Sequence, residues 1–339
     1  MSIEDHRDVN RASRTPARAL ITGVTGQDGS FLAELLLAKG YEVVGLSRRP
    51  ATAGLGACEH LRGRIEVVEG NLLDAASLAG AVAAVIPDEL YHLAAPSFVP
   101  VSWQRPARTL AEVAGATAAL LEGARDHSPH TRVFVAGSGA MFGIADESPQ
   151  REDTGCRPES PYATAKLAGH QLVGLLRAHA GLFACSGILY NHESERRPES
   201  FVPRKICRAA AAIKLGLVQE VVLGDLTAVR DWSFAGDIVN GAWLTLQHSA
   251  PDDYILASGI PHTVAELAEV AFAHVDLDAR DHVRTDDRLV RAPEPVPRIG
   301  DPTRARERLG WWPAVSFEQL IHRMVDCDLK ELERSSSAG

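Results

Sequence analysis

Residues 20–29 read LITGVTGQDG, an apolar run that breaks into glycines at Gly23, Gly26 and Gly29. The pattern predicts a strand that turns directly into a helix, FLAELLLAKG, ending near Lys39. Gly23 permits the tight turn, Gly26 lets backbone approach a pyrophosphate, and Gly29 lets the helix pack on its strand while its first N–H groups face the anion. The spacing GxxGxxG differs by one residue from the GxGxxG form, and glycine-rich turns also occur without ligands. A dinucleotide site therefore needs support from the rest of the chain.

The next strand, YEVVGLS, runs to where an adenosine ribose would lie. An acidic residue there would bond the 2′-hydroxyl of NAD. Ser47, Arg48 and Arg49 stand there instead. Guanidinium groups suit a dianionic 2′-phosphate, so NADP is favoured. Two solvated arginines at a strand end are the alternative.

Signals alternate onward: RIEVVEG, a helix near 75–86, ELYHLAA, a helix near 107–126, then TRVFVAG. This predicts an α/β Rossmann-type doubly wound parallel sheet, with ligands outside the carboxyl ends of its strands. The alternation breaks within 191–216, in GDLTAVRDW and after about 258. Expected are a mainly NADP-binding domain over 18–190 and a mainly substrate-binding lobe over 191–330 that partly returns to the sheet. Residues 1–17 resemble a disordered leader rather than a secretory signal, and 331–339 a frayed tail.

The chain has 339 residues, of which 23% are charged and 45% hydrophobic, with a net charge of −9. That charge argues against nucleic-acid binding, so anionic ligands must be held by local arginines. No apolar run approaches the roughly 18 residues of a membrane span. Five cysteines without a CxxC pair fit a reducing compartment, and a cytoplasmic location is expected. His127 and His130 flank Pro129 in an expected loop, and no metal site is expected.

Ser160-Pro161-Tyr162-Ala163-Thr164-Ala165-Lys166 places a tyrosine and a lysine four apart, on one helix face. An ammonium near the phenol is expected to lower its pKa from about 10 toward neutrality, making a general base for a sugar hydroxyl. Ser138, at the preceding strand end, would share that hydroxyl.

Together these segments resemble the extended short-chain dehydrogenase/reductases that modify nucleotide sugars, and within them the GDP-mannose 4,6-dehydratases. TGVTGQDGSFLAELLLAKGYEV, SRRP, SPYATAKLAGHQLV, FACSGILYNHESERRPESFVPRKI, GDLTAVRDW and GDPTRARERLGWWP carry the resemblance across roughly residues 18–330. It implies that Gly23, Thr25, Gly26, Gln27 and Asp28 line the dinucleotide, with Arg48 and Arg49 at its 2′-phosphate. It places Asn71 and Leu72 by the adenine, Leu93, Ala94 and Ala95 on the phosphate side, and His192 and Arg197 at the nicotinamide end or a neighbouring subunit's cofactor, with Tyr162, Lys166 and Leu189 also binding the cofactor. Ser97, Asn191, Lys205, Arg230, Arg291 and Glu294 match positions that hold a GDP-sugar, although a solvated role stays open for any single arginine. A homodimer or homotetramer is implied.

One departure bears on the reaction. The dehydratase motif S-T-S-E-L-Y-G, whose glutamate removes the carbon 5 proton, reads Gly137-Ser138-Gly139-Ala140-Met141-Phe142-Gly143 here. Ala140 stands where that glutamate should be. Pro96, Phe98 and Pro100 also replace more polar residues of the pattern. Ser138, Tyr162 and Lys166 can serve hydride exchange at carbon 4, but loss of a base typically costs about a hundred- to ten-thousandfold. A 4-epimerase, a 4-keto reductase, a dehydratase whose base is Asp146 or Glu147, and a non-catalytic nucleotide-sugar binder all remain open at this point.

Overall fold

The computed structural model describes residues 16–289 and 296–337. β1 (Arg18–Thr22), β2 (Glu42–Ser47), β3 (Glu66–Glu69), β4 (Glu89–His92) and β5 (Arg132–Ala136) alternate with α1 (Gln27–Ala38), α2 (Ala75–Val85), α3 (Val99–Gln104), α4 (Pro106–Leu110) and α5 (Ala116–His127). A π turn, Ala111–Gly115, joins α4 to α5. Then follow α6 (Pro161–Ala180), β6 (Ala184–Leu189), β7 (Asn191–Glu193), α7 (Val202–Lys214), β8 (Val221–Leu223) and β9 (Val229–Phe234). The chain closes with α8 (Ala235–Gln247), β10 (Tyr254–Leu256), β11 (Pro261–Thr263), α9 (Val264–Ala273), α10 (Ala279–His282), β12 (Val283–Thr285), α11 (Thr303–Leu309) and α12 (Phe317–Ser337).

Seven parallel strands run in the order β10-β6-β5-β4-β1-β2-β3. Strand polarity explains how the sheet sits between helices, because successive side chains point to opposite faces. Ala19, Ile21, Tyr91, Phe134 and Ala136 join one core with Phe31 and Leu36 of α1. Leu20, Leu90, Val133 and Val135 join the other with Leu78 of α2, Leu120 of α5 and Val173 of α6. The order reverses between β1 and β4, and a doubly wound sheet opens its ligand crevice there. Thr22 Oγ1 and His92 Nδ1 hydrogen-bond across the reversal at 2.8 Å, and the Ala94 N–H donates to the same hydroxyl at 3.2 Å.

Two small sheets, β11-β9-β7 and β12-β8, gather the segments that break the alternation, while β10 pairs with β6 in the main sheet. The tail expected to fray from residue 331 continues α12 as far as Ser337, and residues 338–339 lie outside the described set. Leu320, Ile321, Met324, Val325 and Asp328 of α12 are buried, which anchors the helix upstream of its last turns. The leader expectation rests on residues 1–15, also outside the described set, while residues 16 and 17 lead into β1. Among the described residues no helix is long and apolar enough to cross a membrane.

Candidate active site

The reversal point opens into a cleft of about 1040 Å³. Gly23 lies at φ +75°, and a Cβ there would sit 2.9 Å from the Ala94 backbone. A Cβ on Gly29 would collide with the Gly23 carbonyl oxygen. Bare backbone therefore forms this wall, and α1 starts just after Gly26, which caps it without a side chain. A helix N-terminus without a side-chain cap and with glycine approaches is the cradle a pyrophosphate requires. Arg48 and Arg49 line the cleft beyond β2, and neither guanidinium meets a carboxylate among the described residues.

Every described residue expected to bind cofactor or substrate lines this cleft except Asn71. Its Oδ1 accepts from the Leu73 N–H, closing a local turn, and Gly70 and Leu72 line the cleft on either side of it. Arg291 and Glu294 lie outside the described residues. Thr25, Leu93, Ala95 and Leu189 are in place on the wall, as are Ser97 and Asn191. Lys205 Nζ donates to the Val222 carbonyl at 2.6 Å, and Arg230 Nη1 to that of Val229 at 2.6 Å.

Gln27 and Asp28 stitch α1 to β7. Gln27 Oε1 accepts from Ser194 Oγ at 2.8 Å, and its Nε2 donates to Asp28 Oδ1 at 3.0 Å. Asp28 and His192 Nε2 pair at 2.9 Å, with His192 Nδ1 2.7 Å from the Tyr190 carbonyl. Burial resists charge on Asp28, yet the imidazolium and the Gln27 bond hold its carboxyl down at about 2. Burial likewise works against the imidazolium, but the Asp28 carboxylate carries the His192 pKa above 6.5. The signs of the two shifts differ. The Asp28 share of stability is present above its ordinary 3.8 and fades as pH falls from there to about 2. The His192 share is complete below 6.5 and fades as pH rises through its folded value. Asp28→Asn should return the imidazole to or below its ordinary pKa, read as an acid shift of its titration in proton–nitrogen NMR. An unmoved titration would remove Asp28 as the cause.

Tyr162 and Lys166 sit in the first two turns of α6, which Ser160 caps by accepting from the Ala163 N–H at 3.1 Å. Ser138 opens the turn Gly139–Phe142 after β5, its Oγ accepting from the Ala140 N–H at 3.2 Å. Tyr162 and Lys166 are only 8% and 7% exposed. The expected tuning is corrected here. Burial raises the Tyr162 phenol above 10, opposed by a Ser138 hydrogen bond and the Arg197 charge, not by Lys166. The lysine ammonium donates to the Ala136 carbonyl at 2.6 Å and lies 5.9 Å from the tyrosine ring centre. Burial brings Lys166 itself down to about 8, with Asp28 opposing. His92 is buried as a neutral imidazole, its pKa pushed to about 3 by burial and then by Lys166.

Ala140 lines the cleft. Neither proposed replacement for its missing carboxylate does: Asp146 is exposed in a two-bond pair with Arg157 at 2.8 Å, and Glu147 binds Thr154 and Arg151. Sequence reading missed Glu112 and Glu193 on the cleft wall. Glu112 sits in the π turn, which hydrophobic periodicity does not reveal, and it accepts from Arg108 at 2.9 Å. Glu193 lay in the quoted string NHESERR and is 1% exposed. Its Oε2 is 3.1 Å from Arg197 Nε, but neither atom has a hydrogen-bond partner. Burial raises the Glu193 pKa against the opposing charge of Arg197. The Arg197 guanidinium in turn covers the Phe201 ring at 3.6 Å. No cluster of three His, Cys, Asp or Glu that could hold a metal occurs among the described residues.

A switch-point cleft that gathers a serine, a tyrosine and a lysine on a doubly wound sheet defines an NAD(P)-dependent enzyme of the short-chain dehydrogenase/reductase type. The sequence profile of the family described as GDP-mannose 4,6 dehydratase matches residues 20–324, and the chain belongs to that family. An Arabidopsis thaliana protein named GDP-mannose 4,6 dehydratase 1 is 45% identical over 328 residues, covering 93% of this chain and 91% of its own. The Homo sapiens GDP-mannose 4,6 dehydratase is 37% identical, covering 94% and 93%. The fold is shared with RMD of Pseudomonas aeruginosa, solved with NADPH, at a TM-score of 0.79 and 24% identity, covering 93% of this chain and 99% of that one. It is also shared with a Thermotoga maritima UDP-glucose 4-epimerase solved with UDP-glucose, at 0.82 and 23%, with the same coverage.

Proposed function

We propose that the protein is an NADP-dependent enzyme that oxidises or reduces carbon 4 of a GDP-hexose without removing the carbon 6 hydroxyl, as a 4-epimerase or a 4-keto reductase. One observation carries this: Ser138, Tyr162 and Lys166 share the cleft with Ala140, while Asp146 and Glu147 are paired elsewhere. Gly23, Gly26 and the start of α1 fit the pyrophosphate, and Arg48 and Arg49 fit a 2′-phosphate. NADP when bound supplies hydride exchange at carbon 4. Tyr162 Oη moves the proton of the carbon 4 hydroxyl, and Ser138 Oγ holds that oxygen in line. Lys166 is fixed on the Ala136 carbonyl, while the Ser138 hydrogen bond and the Arg197 charge are what favour the phenolate. Asn191, Lys205 and Arg230, with Arg291 and Glu294 as the resemblance implies, hold the GDP end. A cytoplasmic homodimer or homotetramer belongs to the same proposal.

A second reading, 4,6-dehydration, is favoured by the relatives' names and by Glu193, a buried wall carboxylate that pairs with Arg197 but whose Oε2 has no hydrogen-bond partner. Proton NMR in heavy water separates the two. GDP-mannose with catalytic NADP, and in parallel a GDP-4-keto-6-deoxyhexose with NADPH, should give a change at carbon 4 in at least one mixture. No 6-methyl signal should appear from GDP-mannose, and no deuterium at its carbon 5. A 4-keto, 6-methyl product carrying deuterium at carbon 5 would establish dehydration instead.

A further inference from the structure

We propose that Arg298 is a second substrate-binding arginine, forming with Arg230 a two-guanidinium clamp for the diphosphate of the nucleotide sugar. The inference rests on the reading of the cleft as a GDP-sugar site, and Arg298 is not among the positions that the resemblance matches to such a sugar. Both arginines line the cleft, and a parallel backbone bridge pairs Arg230 of β9 directly with Arg298. Bridged segments lie about 4.8 Å apart, so the two side chains leave the backbone as neighbours. Like charges side by side repel, and an anion that spans both relieves the repulsion. Guanidinium forks match phosphate oxygens two at a time.

The pairing is held from both flanks of Arg298. Asp231, next to Arg230, is fully buried, and its carboxylate accepts from the Gly300 N–H at 3.2 Å. The same carboxylate accepts from the Ser258 N–H at 2.9 Å, from Ser258 Oγ at 2.6 Å and from the Gly259 N–H at 2.9 Å. Gln150 Nε2 donates to the Pro297 carbonyl at 3.0 Å, and the Gln150 N–H to that of Ile299 at 2.7 Å. Its own carbonyl accepts from the Asp301 N–H at 2.8 Å. Arg298 is therefore delivered to the cleft by a fixed backbone in register with β9, as a preorganised binding group requires.

The place suits the anomeric end of a hexose whose carbon 4 is at Ser138. A Cβ on Gly139 would sit 3.1 Å from the Tyr190 ring, and one on Gly300 would sit 2.8 Å from it. A single aromatic ring thus links the turn that carries Ser138 to the segment that carries Arg298. The cations on the dinucleotide side serve elsewhere: Arg48 and Arg49 lie beyond β2, Lys166 is fixed on the Ala136 carbonyl, and Arg197 pairs with Glu193. On the lobe side, Lys205 bonds the Val222 carbonyl of β8 at 2.6 Å, and Arg230 and Arg298 follow at β9. Asp225, the carboxylate on that wall, is turned to Thr227, accepting from its N–H at 2.8 Å and from its hydroxyl at 2.7 Å. In a chain of net charge −9, a second diphosphate, apart from the one at α1, finds its countercharge here.

The test is calorimetric titration of the full-length protein by GDP and by GMP, with NADP saturating its own site. Arg298→Leu is expected to weaken GDP about ten- to a hundredfold, the loss of a charge-assisted contact. GMP, which lacks the second phosphate, should lose less. Arg298→Lys should recover part of the GDP affinity, because the charge survives and the planar fork does not. In an Arg230→Leu background, Arg298→Leu should cost severalfold less than in the wild type, since the two groups hold one ligand. NADP affinity, titrated separately, should not change in either Arg298 variant. Unchanged GDP affinity in Arg298→Leu, equal losses for GDP and GMP, additive losses with Arg230→Leu, or a parallel loss of NADP affinity would overturn the clamp and leave the GDP-sugar reading standing. Wild-type protein that binds UDP in place of GDP, and loses it in Arg298→Leu, would overturn the GDP reading and leave the clamp. Binding of neither nucleotide by the wild type would overturn both.

Discussion

Tyr162→Phe is expected to leave a folded protein that still binds GDP-sugar and NADP while turnover falls about a hundred- to ten-thousandfold. The reasons are local. The substitution removes one oxygen from a ring that α6 holds nearly buried, so packing is kept, and the lost polar contact is the one with Ser138. A single neutral hydrogen bond of that kind contributes about 1 kcal/mol to stability, far less than the 5–15 kcal/mol of a typical fold. Lys166 keeps its bond to the Ala136 carbonyl, which does not depend on the phenol. The pH profile adds a second signature. Because burial raises the phenol above 10, the phenolate fraction of the free enzyme grows with pH throughout the neutral and alkaline range, and activity should climb with it. The variant should lose that climb. Carbon 4 turnover by Tyr162→Phe at more than a tenth of the wild-type rate would mean another group handles the proton. Unchanged ligand binding with no turnover in either protein would return the chain to a binding role.

Much of this arrangement was legible because local rules decided it. The β1–α1 turn, the strand and helix alternation and the α6 start each rest on a few adjacent residues: Gly23 at positive φ, short continuous apolar runs, and Ser160-Pro161 opening a helix. Where backbone dictates position, as for Gly26, Thr25 and Ala94, residues expected on the cleft wall are found there.

What was not legible depended on partners distant in sequence or on burial. Asp146 and Glu147 read as free loop carboxylates until Arg157, eleven residues on, and Thr154 are seen to take them. The expected Lys166 effect on Tyr162 failed because spacing of four reports a shared helix face but not desolvation, which raises the phenol and lowers the ammonium together. Asn71 followed a strand as a ligand-binding residue would, yet an asparagine can equally close its own turn, and here it does. The frayed tail was read from ERSSSAG alone, whereas the helix is held from upstream.

That upstream hold yields the largest expected loss of stability. Asp328 of α12 is fully buried and accepts from Arg204 and Arg208 of α7, the second at 3.3 Å, while Arg208 also reaches Glu331 at 3.2 Å. Asp328→Ala strips the shared acceptor from two guanidinium groups and leaves Arg204, itself buried, with only the more exposed Glu331 at 3.7 Å. Breaking one side of such a pair typically costs about 3–5 kcal/mol, since the orphaned charge keeps its desolvation penalty. Lys330→Ala, at an exposed position two residues on, should change stability by less than about 0.5 kcal/mol. Denaturant melts of both variants measure the difference, and a loss below about 1 kcal/mol in Asp328→Ala would show that the arginines find water or another acceptor. The consequence extends to the site. Because α7 also carries Lys205, and Phe201 caps its start, loosening the α7–α12 contact should weaken GDP-sugar binding in the variant even where it remains folded. Binding that stays at the wild-type level under native conditions would confine Asp328 to stability alone.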